Sequence, residues 1–281
     1  MTLPATAPPL PDLGRPAVLL LRRLWGLMLR HVYLHLGSWP RLIEMLYWPI
    51  VNMSMWGFVS LYLVRQFSNA TIVFDTMLGG VLLSEVFLRT STTVLMLYLE
   101  EVWSRNLGHL FASPLRLIEY VVGLLGLSLL RAAISIVPAV VVAKILFGYS
   151  LLSIGWPLVS FVILLAVNGC WYGLLIVSML IRFGMAAEWL AWMFTWLLLP
   201  LIAPYYPVAI LPEWLQAISW ALPATYVFEC MKALAAGHPF ESGYLLKALV
   251  LNIFYMIGAG VIFYRAYQDA RRRGGLLQMG E

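Results

Sequence analysis

The sequence predicts an all-α integral membrane protein with six transmembrane helices, on two observations. Of its 281 residues, 62% are hydrophobic and only 11% charged, with a mean hydropathy of +0.88. Soluble domains run at about 45–50% apolar. Apolar runs of the length that crosses a bilayer core, about 20 residues, recur near 43–64, 72–99, 119–146, 156–181, 187–205 and 246–265. Orientation follows from the basic residues, which concentrate in cytoplasmic loops. Arg15, Arg22, Arg23, Arg30 and Arg41 precede the first run, Arg105 and Arg116 follow the second, Arg182 follows the fourth, and Arg265 and Arg271, Arg272 and Arg273 follow the sixth. The opposite side has only Arg65, Lys144, Lys232 and Lys247, so both termini are expected in the cytoplasm. The excess of 18 basic over 13 acidic residues therefore reads as membrane-surface charge, not as a nucleic-acid footprint.

The elements follow in order. Residues 1–17 hold five prolines and lack the basic-then-apolar pattern of a signal peptide, which predicts a disordered tail. Residues 18–42 are apolar but interrupted by Arg22, Arg23 and Arg30 on one side, the pattern of a helix lying flat at the cytoplasmic interface. Gly37, Ser38 and Pro40 break that helix, and the chain turns into a six-span unit over 43–265. Span two carries Glu85 and Arg89 four apart, on one helix face. A lone charge at the bilayer centre costs about 2.5–3.5 kcal/mol, so both face protein or water, as a structural pair or as a polar contact on a transport path. Arg131 in span three is open to the same two readings, and Asn52, Asn168 and Asn252 are suited to bridging helices. Gly169 and Gly173 in span four permit close helix packing.

Spans one and five are rich in rings and sulfur, including Trp48, Trp56, Trp192 and Trp196. They read either as lipid-facing bulk with interface anchors or as an aromatic-lined passage for an amphipathic substrate. Between spans five and six, residues 205–244 mix four prolines with Trp and Tyr. That mixture fits short re-entrant helices forming an outer lid, or an ordinary loop with interfacial anchors. Residues 266–281 form a basic cytoplasmic tail.

Between spans two and three lies a polar island, EEVWSRNLGHLFASPLRLIEY, residues 100–120. Leu107, Leu110 and Phe111 recur at helical spacing before Ser113 and Pro114, which predicts one short amphipathic helix stopped near the proline. Its apolar edge belongs either to a solvated loop or to a helix that docks in a groove of a soluble partner.

The island resembles the signature of the ABC-2 family of ATP-binding-cassette transporter permeases, approximately E-R-E-x-G-T-L-E-x-L-L-x-T-P with a downstream Glu and Gly. Glu101, Leu107, Leu110, Phe111, Ser113, Pro114, Glu119 and Gly123 agree with it, while Arg105 stands where the family favours Gly, Asn106 where it favours Thr, and Gly108 where it favours Glu. A second segment is similar to the family's outer motif: Leu211, Pro212, Trp214, Leu215, Pro223, Tyr226 and Lys232 agree, and Leu222 replaces an Asn. The resemblance implies a permease that pairs with a second permease copy and with two cytosolic ABC ATPase subunits in a bacterial inner membrane. It further implies that the region from Glu101 through Arg105 and Asn106 to Pro114 is a coupling helix, and that Pro212, Trp214, Leu215, Pro223 and Tyr226 belong to re-entrant outer helices. ATP and Mg would sit on the partner, since this sequence has no G-x-x-x-x-G-K-[ST] loop. No cofactor or metal is expected on this chain, and no nucleic acid. The implied cargo is an amphipathic molecule such as a lipid, a hydrophobic drug or a lipid-linked saccharide.

The competing classes are a membrane-embedded acyl or glycosyl transferase and a channel or structural subunit. The first lacks chemistry, because His31, His35, His109 and His238 are scattered and no paired acidic or His-carboxylate motif stands out. Neither explains the island's apolar edge. Cys170 and Cys230 lie in apolar segments without metal or disulfide spacing.

Overall fold

The computed structural model describes residues 37–66, 70–107 and 116–273, together with most of 23–33. The expected tail at 1–17, residues 274–281 of the tail expected over 266–281, Arg22, and the island residues Leu110, Phe111, Ser113 and Pro114 lie outside the described residues, while 266–272 continue the last helix. Within them the chain is helical without strands. The described positions from 23 to 33 are helical. They are followed by α1 (Trp39–Gln66), α2 (Ala70–Trp103), α3 (Leu117–Phe147), α4 (Pro157–Phe183), α5 (Glu188–Leu201), α6 (Glu213–Ala221), α7 (Pro223–Ala235) and α8 (Ser242–Arg272).

Every apolar run of the sequence is helical, but three helices are long and apolar enough by themselves to cross a membrane: α3, α4 and α8. α1 and α2 have the length and carry more polar residues. In α2 these turn inward, with Ser84, Glu85, Thr90 and Ser91 fully buried. The hydroxyls of Ser84, Thr90 and Ser91 donate to carbonyls three or four residues back, at 2.9, 2.8 and 3.1 Å, so a polar helix face is satisfied without water. α5 ends at Leu201, short of the expected 205. Pro200 lies within it, and Pro204 and Pro207 follow, where missing N–H groups and pre-proline restriction stop a helix.

The centre of the bundle is α4. Of its apolar window 67% is buried, against 28% for α3 and 17% for α8, so the latter two present their apolar surface outward. α4 packs on α2 on one side and α8 on the other, and α2 also contacts α1, α3 and α7. Gly169 and Gly173 explain the α2–α4 approach, as the spacing predicted. A Cβ on Gly169 would lie 2.7 Å from the Phe87 carbonyl oxygen, and one on Gly173 would lie 2.6 Å from Val94 Cβ. Leu at 173 therefore has no room, and overpacking of this kind costs about 1–3 kcal/mol. Gly173→Leu is expected to lower the unfolding midpoint in detergent, whereas Gly258→Leu, with nothing within 4 Å of its added Cβ, leaves it unchanged.

Two of the three asparagines bridge helices. Asn52 on α1 donates to Glu85 on α2. Asn252 on α8 accepts from Trp171 Nε1 at 2.9 Å and donates to the Leu164 carbonyl at 3.2 Å. Asn168 is buried with no hydrogen-bond partner among the described residues. Both cysteines are buried free thiols.

Candidate functional site

Three arrangements bring the sequence's candidate residues together. The first is a charge cluster at the island. Glu101 occupies the last turn of α2, beyond the expected span, and is 1% exposed. Arg30 straddles its carboxylate with both terminal nitrogens, at 3.0 and 2.9 Å. Asn106 Nδ2 donates to it at 2.6 Å, and His31 Nε2 lies 3.3 Å away. His31 is 3% exposed, with its other ring nitrogen 3.7 Å from Glu100, which also accepts from Arg131 at 3.4 Å. Burial alone would lower the His31 pKa, but the Glu100 and Glu101 carboxylates outweigh it and raise the pKa above its ordinary value. On the far side of the island Glu119 accepts from the Arg116 backbone N–H at 3.0 Å, closing the start of α3, and from Arg23 at 3.4 Å. One face of the N-terminal segment, carrying Arg23, Arg30 and His31, thus holds both flanks of the island.

The turn between α2 and the island explains one departure from the family pattern. Arg105 adopts φ +54°, and its N–H donates to the Val102 carbonyl at 2.9 Å while Asn106 N–H reaches the Glu101 carbonyl at 3.0 Å. The left-handed region costs an L-residue about 1–2 kcal/mol and glycine nothing, which is why a Gly suits this position. Arg105→Gly is expected to raise stability by up to about 1 kcal/mol after its extra freedom in the unfolded chain is counted, and Arg105→Val to lower it by about 1 kcal/mol. Thermal unfolding followed by circular dichroism reads both. Leu107, expected as a docking anchor, is 3% exposed and packs into the chain's own core.

The second arrangement is a clip on the proline-rich segment between α5 and α8. Lys232, on α7, donates to the carbonyls of Ala203 and Tyr206 at 2.9 and 2.6 Å and to Glu229 at 2.6 Å. Glu229 in turn accepts the Val208 N–H at 3.0 Å. The clipped loop is pressed onto α2, where a Cβ on Gly80 would lie 2.2 Å from the Pro204 carbonyl oxygen. Tyr205 stacks on Trp56 at 4.6 Å between ring centres and shares a hydrogen bond with Ser84 at 3.2 Å. Pro212 and Pro223 stand at the starts of α6 and α7, as expected of a proline at a helix entrance. Tyr226 sits among Trp220 and Tyr244, while Trp214 is 67% exposed.

The third is a cavity of about 480 Å³ between α1, α2, α3 and α5. Along α2 it follows the single face of Arg89, Thr93, Met96 and Glu100, and Arg131, Trp48, Trp192 and Trp196 complete its walls. Arg89 Nε donates to Glu85 at 2.9 Å, so the expected pair forms. Glu85 lies behind it, fully buried, while Arg89 and Arg131 both line the space. Trp48, Trp192 and Trp196, offered by the sequence in one of two readings as an aromatic-lined passage, and Arg89 and Arg131, offered as path contacts, line this one space; the roles of His31 and Lys232 were not foreseen.

No curated protein matches the chain. The family model described as ABC-2 type transporter matches residues 22–235, about three quarters of the sequence, and spans the island, the cavity helices and the Lys232 clip alike. The chain belongs to the ABC-2 type transporter family and is a multi-pass membrane component of such a transporter.

Proposed function

We propose that the chain is the non-catalytic permease subunit of an ABC exporter, working as a pair of copies with two cytosolic ATPase subunits that bind ATP and Mg. The carrying observation is the clamp on the island. Because Arg30 and His31 hold Glu101 while Arg23 holds Glu119, a displacement of residues 108–115 is passed to α2, α3 and the N-terminal segment together.

In this reading all six apolar runs span a bacterial inner membrane, with both termini in the cytoplasm. The N-terminal segment lies at the interface and 43–265 is the transport unit. ATP draws the ATPases together, and each carries its docked island with it. The coupling works only if the closed ATPase pair favours one permease state over the other. Leu110 and Phe111 supply the grip, with Arg105 at the rim. On the opposite face α6 and α7 form the outer lid. The cargo is amphipathic: a lipid, a hydrophobic drug or a lipid-linked saccharide. Family membership and the aromatic-lined cavity support that class.

Reconstitution tests the reading. Vesicles containing this chain together with an ABC ATPase that co-purifies with it are expected to accumulate a fluorescent amphiphile only when ATP is present, and neither chain alone supports uptake. Downhill flux through this chain without ATP or ATPase would make it a channel instead.

A further inference from the structure

The cavity between α1, α2, α3 and α5 contains an arginine whose hydrogen-bonding capacity is largely unused. A guanidinium has five N–H donors. Arg89 commits its Nε to Glu85, and its terminal nitrogens have no partner among the described residues. Glu85 is fully buried and also receives Asn52, so it is turned away from the cavity and toward α1. One turn along α2, the Thr93 hydroxyl likewise has no partner among the described residues. The neighbouring hydroxyls have already donated, Thr92 to the Leu88 carbonyl at 2.6 Å and Ser135 to the Met45 carbonyl at 2.8 Å. Unsatisfied donors at bilayer depth are costly, and a planar guanidinium fork matches the two oxygens of a carboxylate or phosphate.

The other walls are apolar and aromatic. Trp192 and Trp196 lie one turn apart on α5, and Trp48 faces them from α1. The volume of about 480 Å³ lies within the range of small-molecule sites. The remaining charges orient an occupant. Arg131 pairs with Glu100 at 3.4 Å, and Glu100 also faces His31. Glu44, one turn before Trp48 on α1, presents a carboxylate with no partner among the described residues and repels an anion from that end.

We propose that this cavity binds an anionic amphiphile, with its carboxylate or phosphate head on Arg89 and Thr93 and its apolar body against Trp48, Trp192 and Trp196. The inference deepens the permease reading and rests on it for the occupant's being cargo. A lipid of the surrounding membrane and a transported amphiphile share this chemistry.

The test uses the full chain in neutral maltoside detergent, titrated with 9,10-dibromostearate, whose bromines quench nearby tryptophans, and with the corresponding dibromostearylamine. The carboxylate is expected to quench saturably at a concentration about tenfold below the amine. Glu85→Gln alone removes the counter-charge behind Arg89 and should tighten carboxylate binding. Arg89→Gln leaves a buried carboxylate unpaired and is at risk of unfolding, so the decisive variant is Glu85→Gln with Arg89→Gln, which leaves no charge stranded. It should raise the carboxylate midpoint about tenfold and abolish the preference over the amine. Trp192→Phe with Trp196→Phe should reduce the quenching amplitude, which locates the bromines beside α5, and an undiminished amplitude would place the ligand elsewhere. Equal binding of the amine by the unmodified chain, or an unchanged midpoint in the doubly neutral variant, would overturn the proposal. In nanodiscs, competition by phosphatidylglycerol but not phosphatidylcholine identifies a membrane lipid as occupant, and its absence with binding retained identifies cargo. No ATPase takes part, so failure here leaves the coupling reading standing, and failure of ATPase reconstitution leaves this binding result standing.

Discussion

Replacing both Leu110 and Phe111 by Asp is expected to reduce co-purification of the ATPase by at least about a hundredfold while the helical content of the chain stays unchanged. A buried apolar side chain of this size contributes about 1.5–3 kcal/mol, and at an interface the few anchoring residues carry most of the energy. Two carboxylates in their place also face desolvation, which accounts for a loss beyond the sum of two truncations. The substitution leaves the ties on either side of the island in place, at Glu101 and Asn106 before it and at Glu119 after it. Size-exclusion chromatography of the co-expressed pair reads the association, and circular dichroism reads the fold. An intact complex from the doubly substituted chain would remove the island from the coupling path.

Glu101→Gln is expected to have the second largest effect, this time inside the chain. One carboxylate accepts Arg30 and Asn106 and faces His31; charge-assisted hydrogen bonds of this kind are worth about 1.5–3 kcal/mol each. Neutralising it should loosen the N-terminal segment from α2, leaving the Arg23 contact to Glu119 and the approach of His31 to Glu100 as weaker ties. ATP turnover is then expected to continue without transport, because the island moves and the N-terminal segment no longer follows. The His31 contribution makes the docking pH-dependent, with a definite sign. Its pKa is raised in the docked state by Glu100 and Glu101 against the effect of burial. The stabilisation is therefore fully present below the ordinary histidine value of about 6.5 and is lost as pH rises through the raised value. The thermal midpoint of the unmodified chain should fall between pH 6 and pH 8 more steeply than that of His31→Gln. Parallel pH profiles would mean that His31 is structural filler.

How much of this was legible in the sequence depends on the kind of signal. Apolar runs and proline breaks mark the helices directly, because burial in lipid demands internally bonded backbone. The expected end of span five was four residues too far only because hydropathy continued past prolines that the backbone could not accommodate. The close α2–α4 contact was readable from Gly169 and Gly173, since a missing Cβ is itself a packing statement. The pairing of Glu85 with Arg89 followed from helical spacing alone.

Contacts between distant segments were not legible. His31 looked like one of four scattered histidines, and only the fold places it against Glu100 and Glu101, about 70 residues away. A hint existed in Arg23 and Arg30, seven apart on one helix face, matched by Glu101 and Glu119 on the two flanks of the island. Leu107 shared the periodicity of Leu110 and Phe111, yet periodicity does not distinguish an edge that faces a partner from one that faces the chain's own core. Lys232 was matched as a basic residue of the outer motif, but its carbonyl acceptors at Ala203 and Tyr206 belong to a loop about 30 residues earlier. Trp48, Trp192, Trp196, Arg89 and Arg131 were each readable as passage residues in one of two ways, and only the placement of four helices brings them around one cavity.

The central claim is that the island meets an ATPase. A photo-activatable benzoylphenylalanine at position 111 in the full-length chain, irradiated in native membranes, tests it most directly. The account predicts one dominant cross-linked product whose second component, identified by mass spectrometry, is an ABC ATPase carrying a phosphate-binding loop, with a yield that changes when ATP is trapped. Cross-linking only to lipid, or to this chain's own helices, would contradict it.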